Sequence, residues 1–254
     1  MSLRKKDISL LFPIFGSHIK RIGWLRTLSG ACSMYLCIPN LMISHLTFTV
    51  LLHQWFVCPV FGIKHVRWKD YVIVDRQRIK DLSLFDRLNC NFCGYANGLC
   101  CMMNKEYDNL AEYRIKMGLI RHAILFFVMC LLIPFNLFME LSLQIIYNIL
   151  VSRPLGMQRM SIKEAAEIME KNGYAAQFSP FEKMVIRSGK NTMFRFLMGL
   201  EQIESSWCPL KHFEKREGVV YPEHHKKFFG QDEIQEMRKV LMTEGSVSDR
   251  KPTW

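Results

Sequence analysis

Charge is scarce in two long parts of this 254-residue chain: positions 27–63 hold no Asp, Glu, Lys or Arg, and 122–152 hold one, Glu140. Half of the residues are apolar and 22% are charged, which excludes a disordered chain with too little to bury. Cysteine is also sparse, nine in 254 residues, and this excludes a small secreted module stapled by disulfides. Several enzyme signatures are missing. There is no Gly-x-Ser-x-Gly elbow, no phosphate-binding P-loop, no Gly-x-Gly-x-x-Gly turn and no His-Glu-x-x-His pair. The chain has no internal repeat, no low-complexity tract and no basic run that reads as a nucleic-acid arm. A cleavable leader is not expected, because Pro13 interrupts the short apolar run after Arg4-Lys5-Lys6 and Lys20-Arg21 follow it.

Positive charge is what the polar parts share. Lys and Arg outnumber Asp and Glu by 34 to 23, a net charge of +11. Residues 1–30 carry six basic groups against one acidic, 64–121 carry eleven against seven, and 153–254 carry seventeen against fourteen. An excess spread so evenly suits anionic lipid headgroups and not nucleic acid. The lipid bilayer is therefore the expected partner, with the polar regions on the cytoplasmic face.

The charge pattern divides the chain into a basic N-terminal segment (1–26), a membrane segment (27–63), a polar loop region (64–121), a second membrane segment (122–152) and a cytoplasmic helical region (153–254). A spanning helix needs about 20 apolar residues. The first segment is too long for one crossing and too short for two with a turn. Each contains a proline, Pro39-Asn40 in the first and Pro134-Phe135-Asn136 in the second, which favours a kink. Two topologies fit. Either each segment crosses once, or each dips in and returns as a re-entrant hairpin, and basic polar regions throughout favour the one-sided form. The expected fold class is all-α: a membrane-attached helical protein with two Pro-kinked apolar segments, re-entrant or spanning, and a cytoplasmic helical portion.

Within the polar regions, 71–74 form one short strand-like run. Ser161 with Glu164, and Ser179-Pro180 with Glu182, are capping-box patterns that start helices, and Gly173 is a stop. Met193, Phe194, Phe196, Leu197, Met198 and Leu200 beside Lys190 and Arg195 belong either to a core helix or to one in the headgroup plane. Residues 232–243 read as a last helix ended by Gly245, followed by a mobile tail.

The chemistry-bearing pattern is made of thiols and imidazole. Cys90-x2-Cys93 followed by Gly94 and Cys208-x3-His212 together supply three thiolates and one imidazole, the set of a closed tetrahedral metal site. Two residues between cysteines let a tight turn aim both sulfurs at one point, and Gly94 can take the positive φ of such a turn. Three residues between Cys208 and His212 suit one helical turn. Zinc or iron suits this donor set, while buried thiols or a Cys90–Cys93 redox disulfide are the other readings. A shared site needs both units on one membrane face, which ties it to the returning topology, and reduced thiols place it on the cytoplasmic side.

Other candidates are weaker. Cys100-Cys101 could supply an alternative ligand or be packed small residues. Cys32, Cys37, Cys58 and Cys130 sit in the apolar segments as lipid-facing or packed thiols. His45 and His53, eight apart, are cofactor ligands or bond a neighbouring helix. Glu140 with Gln144 is a carboxylate in an apolar segment, either functional or interfacial. His224-His225 stand without the further histidine boxes of membrane di-iron enzymes, which excludes that class.

Cys90-x2-Cys93-Gly94-Tyr95 and Cys208-Pro209 resemble the metal knuckles of rubredoxin, although His212 stands where a second cysteine would follow. Leu88 to Gly98 and Trp207-Cys208-Pro209-Leu210-Lys211-His212 more closely resemble an uncharacterised family of bacterial membrane proteins with a CxxCxYANG … WCPIKH signature. The resemblance covers about a third of the chain and implies that the two units belong together, in a bacterial inner membrane. The expected function is a membrane-associated metal-binding protein. Its site of Cys90, Cys93, Cys208 and His212 would hold structural zinc, or redox iron serving a membrane oxidoreductase or other membrane protein. The alternative is a membrane-surface enzyme acting on a lipid or other apolar substrate, with Glu140 or a histidine as acid/base.

Overall fold

A computed structural model describes residues 23–72, 74, 84–114, 118–145 and 174–207. Regular structure among them is entirely helical: α1 (Trp24–Ser44), a π-helical stretch (His45–Val57), α2 (Cys58–Phe61), a 3-10 turn (Trp68–Asp70), α3 (Leu84–Ala111), α4 (Leu119–Ile145) and α5 (Pro180–Trp207). The capping-box pattern at Ser161, the helix expected over 232–243 and both chain termini lie outside the described residues.

Over their described residues the two charge-poor segments form helices that are not interrupted at the prolines. Ser44 and Cys58, at the junctions of α1, the π-helical stretch and α2, both keep right-handed helical dihedrals, so 24–61 is one helical run. It passes through Pro39, and α4 passes through Pro134. A hairpin turning back at either proline is therefore replaced by a continuous helix. The physical reason is that proline removes one donor, whereas a reversal would expose several backbone groups at once in apolar surroundings. The first run stops where the uncharged stretch ends. Gly62 takes φ 67°, and the Ile63 N–H donates to the Cys58 carbonyl at 3.0 Å, a Schellman closure.

The strand-like run expected at 71–74 holds no strand at its described positions 71, 72 and 74. The N–H groups of Tyr71 and Val72 both donate to the Trp68 carbonyl (3.0 and 2.8 Å), closing the 3-10 turn. Both residues then pack on α3, where a Cβ on Gly98 would stand 2.4 Å from the Tyr71 carbonyl oxygen. Tyr71 and Val72 are used to seat this segment on a helix, and that contact takes the place of strand pairing.

α5 begins as its sequence predicts. The Ser179 N–H donates to Glu182 Oε2 (2.7 Å), and the Glu182 N–H donates to Ser179 Oγ (3.3 Å), a reciprocal capping box before Pro180. Replacing Ser179 by alanine is expected to cost about 1 kcal/mol, read as a lowered thermal midpoint of the detergent-solubilised chain. An unchanged midpoint would show that the box contributes nothing.

Side-chain contacts set the helix directions. Tyr35 Oη donates to Asn89 Oδ1 (2.7 Å), His45 Nδ1 meets the Tyr95 hydroxyl (2.9 Å), Thr49 Oγ1 donates to Glu106 Oε2 (2.9 Å), and Phe61 packs edge-on to Tyr113. The first run and α3 are thus parallel. Ser44 against Met139 and Phe48 stacked on Phe135 make α4 antiparallel to that run. Phe126 with Phe181, Asn136 with the Val185 carbonyl, and Glu140 with Thr192 and Arg195 make α5 parallel to α4. The result is a bundle with two helices up and two down, joined by long connections over 62–83 and 146–179.

Burial in this bundle is inverted relative to a soluble one. α3, rich in polar residues, exposes no described side chain between positions 89 and 111. Among the described helices it shares its largest interface with α5, where Gly189 lies against the Tyr107 ring and Asp108 pairs with Lys190, and Leu99, Met102, Met103, Val185, Ile186, Met193 and Phe196 belong to the same buried core. Met193, Phe194, Phe196, Leu197 and Leu200 are buried, so these residues are core and do not lie in a headgroup-plane face. The first run and α4 turn outward Leu46, Leu51, Trp55, Phe126, Phe127, Leu137 and Leu141. Tyr35–Phe61 and Leu119–Ile145 are long and apolar enough to cross a membrane. At about 1.5 Å per residue the 27 residues of α4 reach roughly 40 Å, beyond a hydrocarbon core of about 30 Å.

Candidate functional site

The polar side chains of the bundle interior pair in several separate groups. Glu106 on α3 is fully buried. Its Oε2 accepts from Thr49, and its Oε1 lies 3.4 Å from Nδ1 of His53, which also faces Cys58 Sγ at 3.5 Å. Asp108, on the same helix, pairs with the buried Lys190 of α5. Between them Tyr107 donates to Asn136 Oδ1 (2.5 Å), and Asn136 Nδ2 donates to the Val185 carbonyl (3.0 Å). Nearer the other end, Arg195 Nη1 donates to both oxygens of Glu140 (2.7 and 2.8 Å), and Thr192 and Gln144 complete that carboxylate's partners.

These partners decide several of the open readings. His45 and His53 bond across to α3, the neighbouring-helix alternative. Glu140 joins α4 to α5 through Arg195. Cys37, Cys58, Cys100 and Cys101 are buried, whereas Cys32 and Cys130 are exposed. Glu106, Asp108 and Lys190 were not singled out by sequence, because each reads as a solvated charge. The available signal was the apolar run at 99–103, one helical turn before both carboxylates.

The thiol pair departs from the expected turn. Cys90 and Cys93 lie inside α3, whose helix continues through Gly94 and Gly98. Their backbone N–H groups therefore belong to the helix and do not cradle thiolates. The i, i+3 spacing still puts the two residues on one flank, a turn apart. Cys208 and His212 lie outside the described residues, and no group of three or more metal-ligating side chains occurs among those described.

The antiparallel register of α3 and α5 relates the two halves. A Cβ on Gly189 would stand 2.2 Å from Tyr107 Cζ, and Asp108 pairs with Lys190, so these positions are level. Both helices rise equally per residue. Seventeen positions back from Tyr107 is Cys90, and seventeen forward from Gly189 is Ser206, in the last turn of α5. Trp207 ends that helix, and Cys208 follows it directly in the chain.

The expected link between a shared site and a returning second segment is thereby removed. α4 runs the length of the bundle, yet the chain is back at its far end by Ala175, whose N–H donates to the Ala111 carbonyl (3.0 Å). α3 and α5 therefore lie side by side without a hairpin in α4. Compared with models of protein families, with curated proteins and with solved structures, the chain matches none.

Proposed function

We propose that this chain is an integral protein of a bacterial inner membrane whose Cys90, Cys93, Cys208 and His212 hold one metal ion. The observation that supports the reading is the α3–α5 register, which sets the last turn of α5 level with Cys90. The first run and α4 sit in the bilayer with their apolar faces toward lipid, and α3 is shielded by its neighbours, as a polar helix at membrane depth requires. The end of the bundle where α1 and α3 start and α4 and α5 stop is cytoplasmic. Arg21, Arg76, Arg78 and Lys80 precede the two helix starts, Arg26 and Arg87 lie in their first turns, and the positive-inside bias retains such groups. Thiols remain reduced there.

The ion acts as a clamp. Three thiolates and an imidazole close a tetrahedral zinc site, and ligand binding then contributes directly to folding by tying the start of α3 to the segment after α5. Iron in the same donor set would instead carry electrons for a membrane oxidoreductase.

Elemental analysis of the purified full chain tests this. The expected result is one metal ion per chain, colourless for zinc and with thiolate-to-iron bands for iron. Cys208→Ala is expected to lose at least nine-tenths of the metal while the chain stays folded by circular dichroism. Full metal retention in Cys208→Ala would refute the ligand set.

A further inference from the structure

Three thiolates around a divalent ion leave one net negative charge on the donor set, and N–H groups that bond the sulfurs stabilise it. In a tight Cys-x2-Cys turn the backbone supplies those groups. Here Cys93 lies within α3, and the helix spends its backbone N–H groups on its own ladder. A donor to the thiolates has to come from a side chain.

Asn89 carries such a donor. The residue is 5% exposed. Its Oδ1 accepts from the Tyr35 hydroxyl of α1 at 2.7 Å, which fixes the amide. Its Nδ2, with two hydrogens to give, has no hydrogen-bond partner among the described residues. A buried donor left unpaired is costly, so it calls for a reason.

The helix geometry shows which way this donor faces. Asn89 lies eighteen positions before Tyr107, which is five turns of α3, so the two share a face. The Tyr107 ring rests against Gly189 of α5. Glu106, about 100° round the helix in one sense, meets Thr49 and His53 of the first run. Asp108, about 100° round in the other sense, meets Lys190 of α5. Asn89 therefore stands at the boundary between the side of α3 facing the first run and the side facing α5. Tyr35 holds Oδ1 on the first-run side, which turns Nδ2 toward the α5 side. Half-buried Cys93 is on that side, one turn further along and about 40° round from Asn89. Helical side chains lean toward the N-terminus, so Cys93 leans back over the turn that holds Asn89. Eighteen positions forward from Gly189 is Trp207, so the donor also stands level with the last residue of α5.

We propose that Asn89 is a positioning residue of the metal site, whose side-chain amide donates an N–H···S hydrogen bond to the metal-bound thiolate of Cys93. A neutral thiol is a weak acceptor and a thiolate a strong one, so the bond is made when the cysteine gives up its proton to the ion. Tyr35 acts one step further out by holding the amide. The inference rests on the metal site proposed above and adds to it a residue outside the ligand set.

Cobalt(II), added to the purified full chain in place of zinc, reports the bond, because thiolate-to-cobalt charge-transfer bands follow the electron density on sulfur. Asn89→Leu removes the donor. Its bands are expected to move to longer wavelength, and cobalt to bind about ten- to a hundredfold more weakly. Tyr35→Phe breaks the same tie between α1 and α3 but keeps the donor, and it is expected to move the bands less than half as far. Bands unmoved in Asn89→Leu, or moved as far by Tyr35→Phe, would overturn the proposal. The wild-type chain loaded with cadmium-113 gives a readout that needs no variant to fold. A scalar coupling between the ion and the Asn89 side-chain amide proton is expected through the N–H···S bond, and its absence would equally overturn the assignment. A wild-type chain without thiolate-to-cobalt bands defeats the metal site and this inference together, whereas bands indifferent to Asn89 defeat this inference alone.

Discussion

Replacing Lys190 by methionine is expected to destabilise the folded bundle by about 3–5 kcal/mol. The side chains of Lys190 and Asp108 are 1% and 0% exposed, and they pair across the largest interface among the described helices. Methionine is close to lysine in length and fills the same space, so the loss is electrostatic. The Asp108 carboxylate loses the Lys190 ammonium in the bundle interior, and the loss of that buried ion pair carries the cost. The double replacement Lys190→Met with Asp108→Leu is expected to recover most of the stability, since a buried ion pair replaced by apolar groups is often near neutral. Equilibrium unfolding of the detergent-solubilised chain measures both. A double variant no more stable than Lys190→Met would contradict this account. The exposed Arg67–Asp70 pair serves as control, and its removal should cost less than about 1 kcal/mol.

The second large effect is expected from one methyl group. In Gly189→Ala the new Cβ meets the Tyr107 ring at 2.2 Å from Cζ and 2.4 Å from Oη. Tyr107 is fully buried and cannot retreat without breaking its 2.5 Å hydrogen bond to Asn136, which in turn holds the Val185 carbonyl. Overpacking together with a lost buried hydrogen bond gives a cost of about 2–4 kcal/mol. Tyr107→Leu costs stability alone, but in the Gly189→Ala background it makes room for the methyl. The two changes should therefore be strongly non-additive. The same contact sets the register that brings the end of α5 level with Cys90. Gly189→Ala should thus also weaken metal retention in a chelator competition, and unchanged retention would separate the clamp from this register.

Some of the site was legible because its signals are local. The capping box at Ser179 and Glu182 needs residues only three apart, and both of its hydrogen bonds are present. The lack of charge over 27–63 and 122–152 marked the two helices that carry the apolar outer face. The prolines misled the expected topology, because a single missing donor weighs less than the helix on either side of it. The tight turn expected at Cys90 and Cys93 gave way to helix because α3 is packed on nearly every side, and packing of that extent overrides a local turn preference.

Composition and patterning by themselves determined an all-helical chain with two segments fit for lipid and a set of thiol and imidazole donors split between two distant regions, since each of these properties is a matter of residue type and near-neighbour spacing. Tertiary structure alone decided that charged α3 lies innermost, that Asp108 meets Lys190 and Glu106 meets His53, and that Cys90 and the last turn of α5 stand level. Those outcomes depend on which helix faces are brought together across gaps of tens of residues, where the partner of a buried charge has no local trace in the chain.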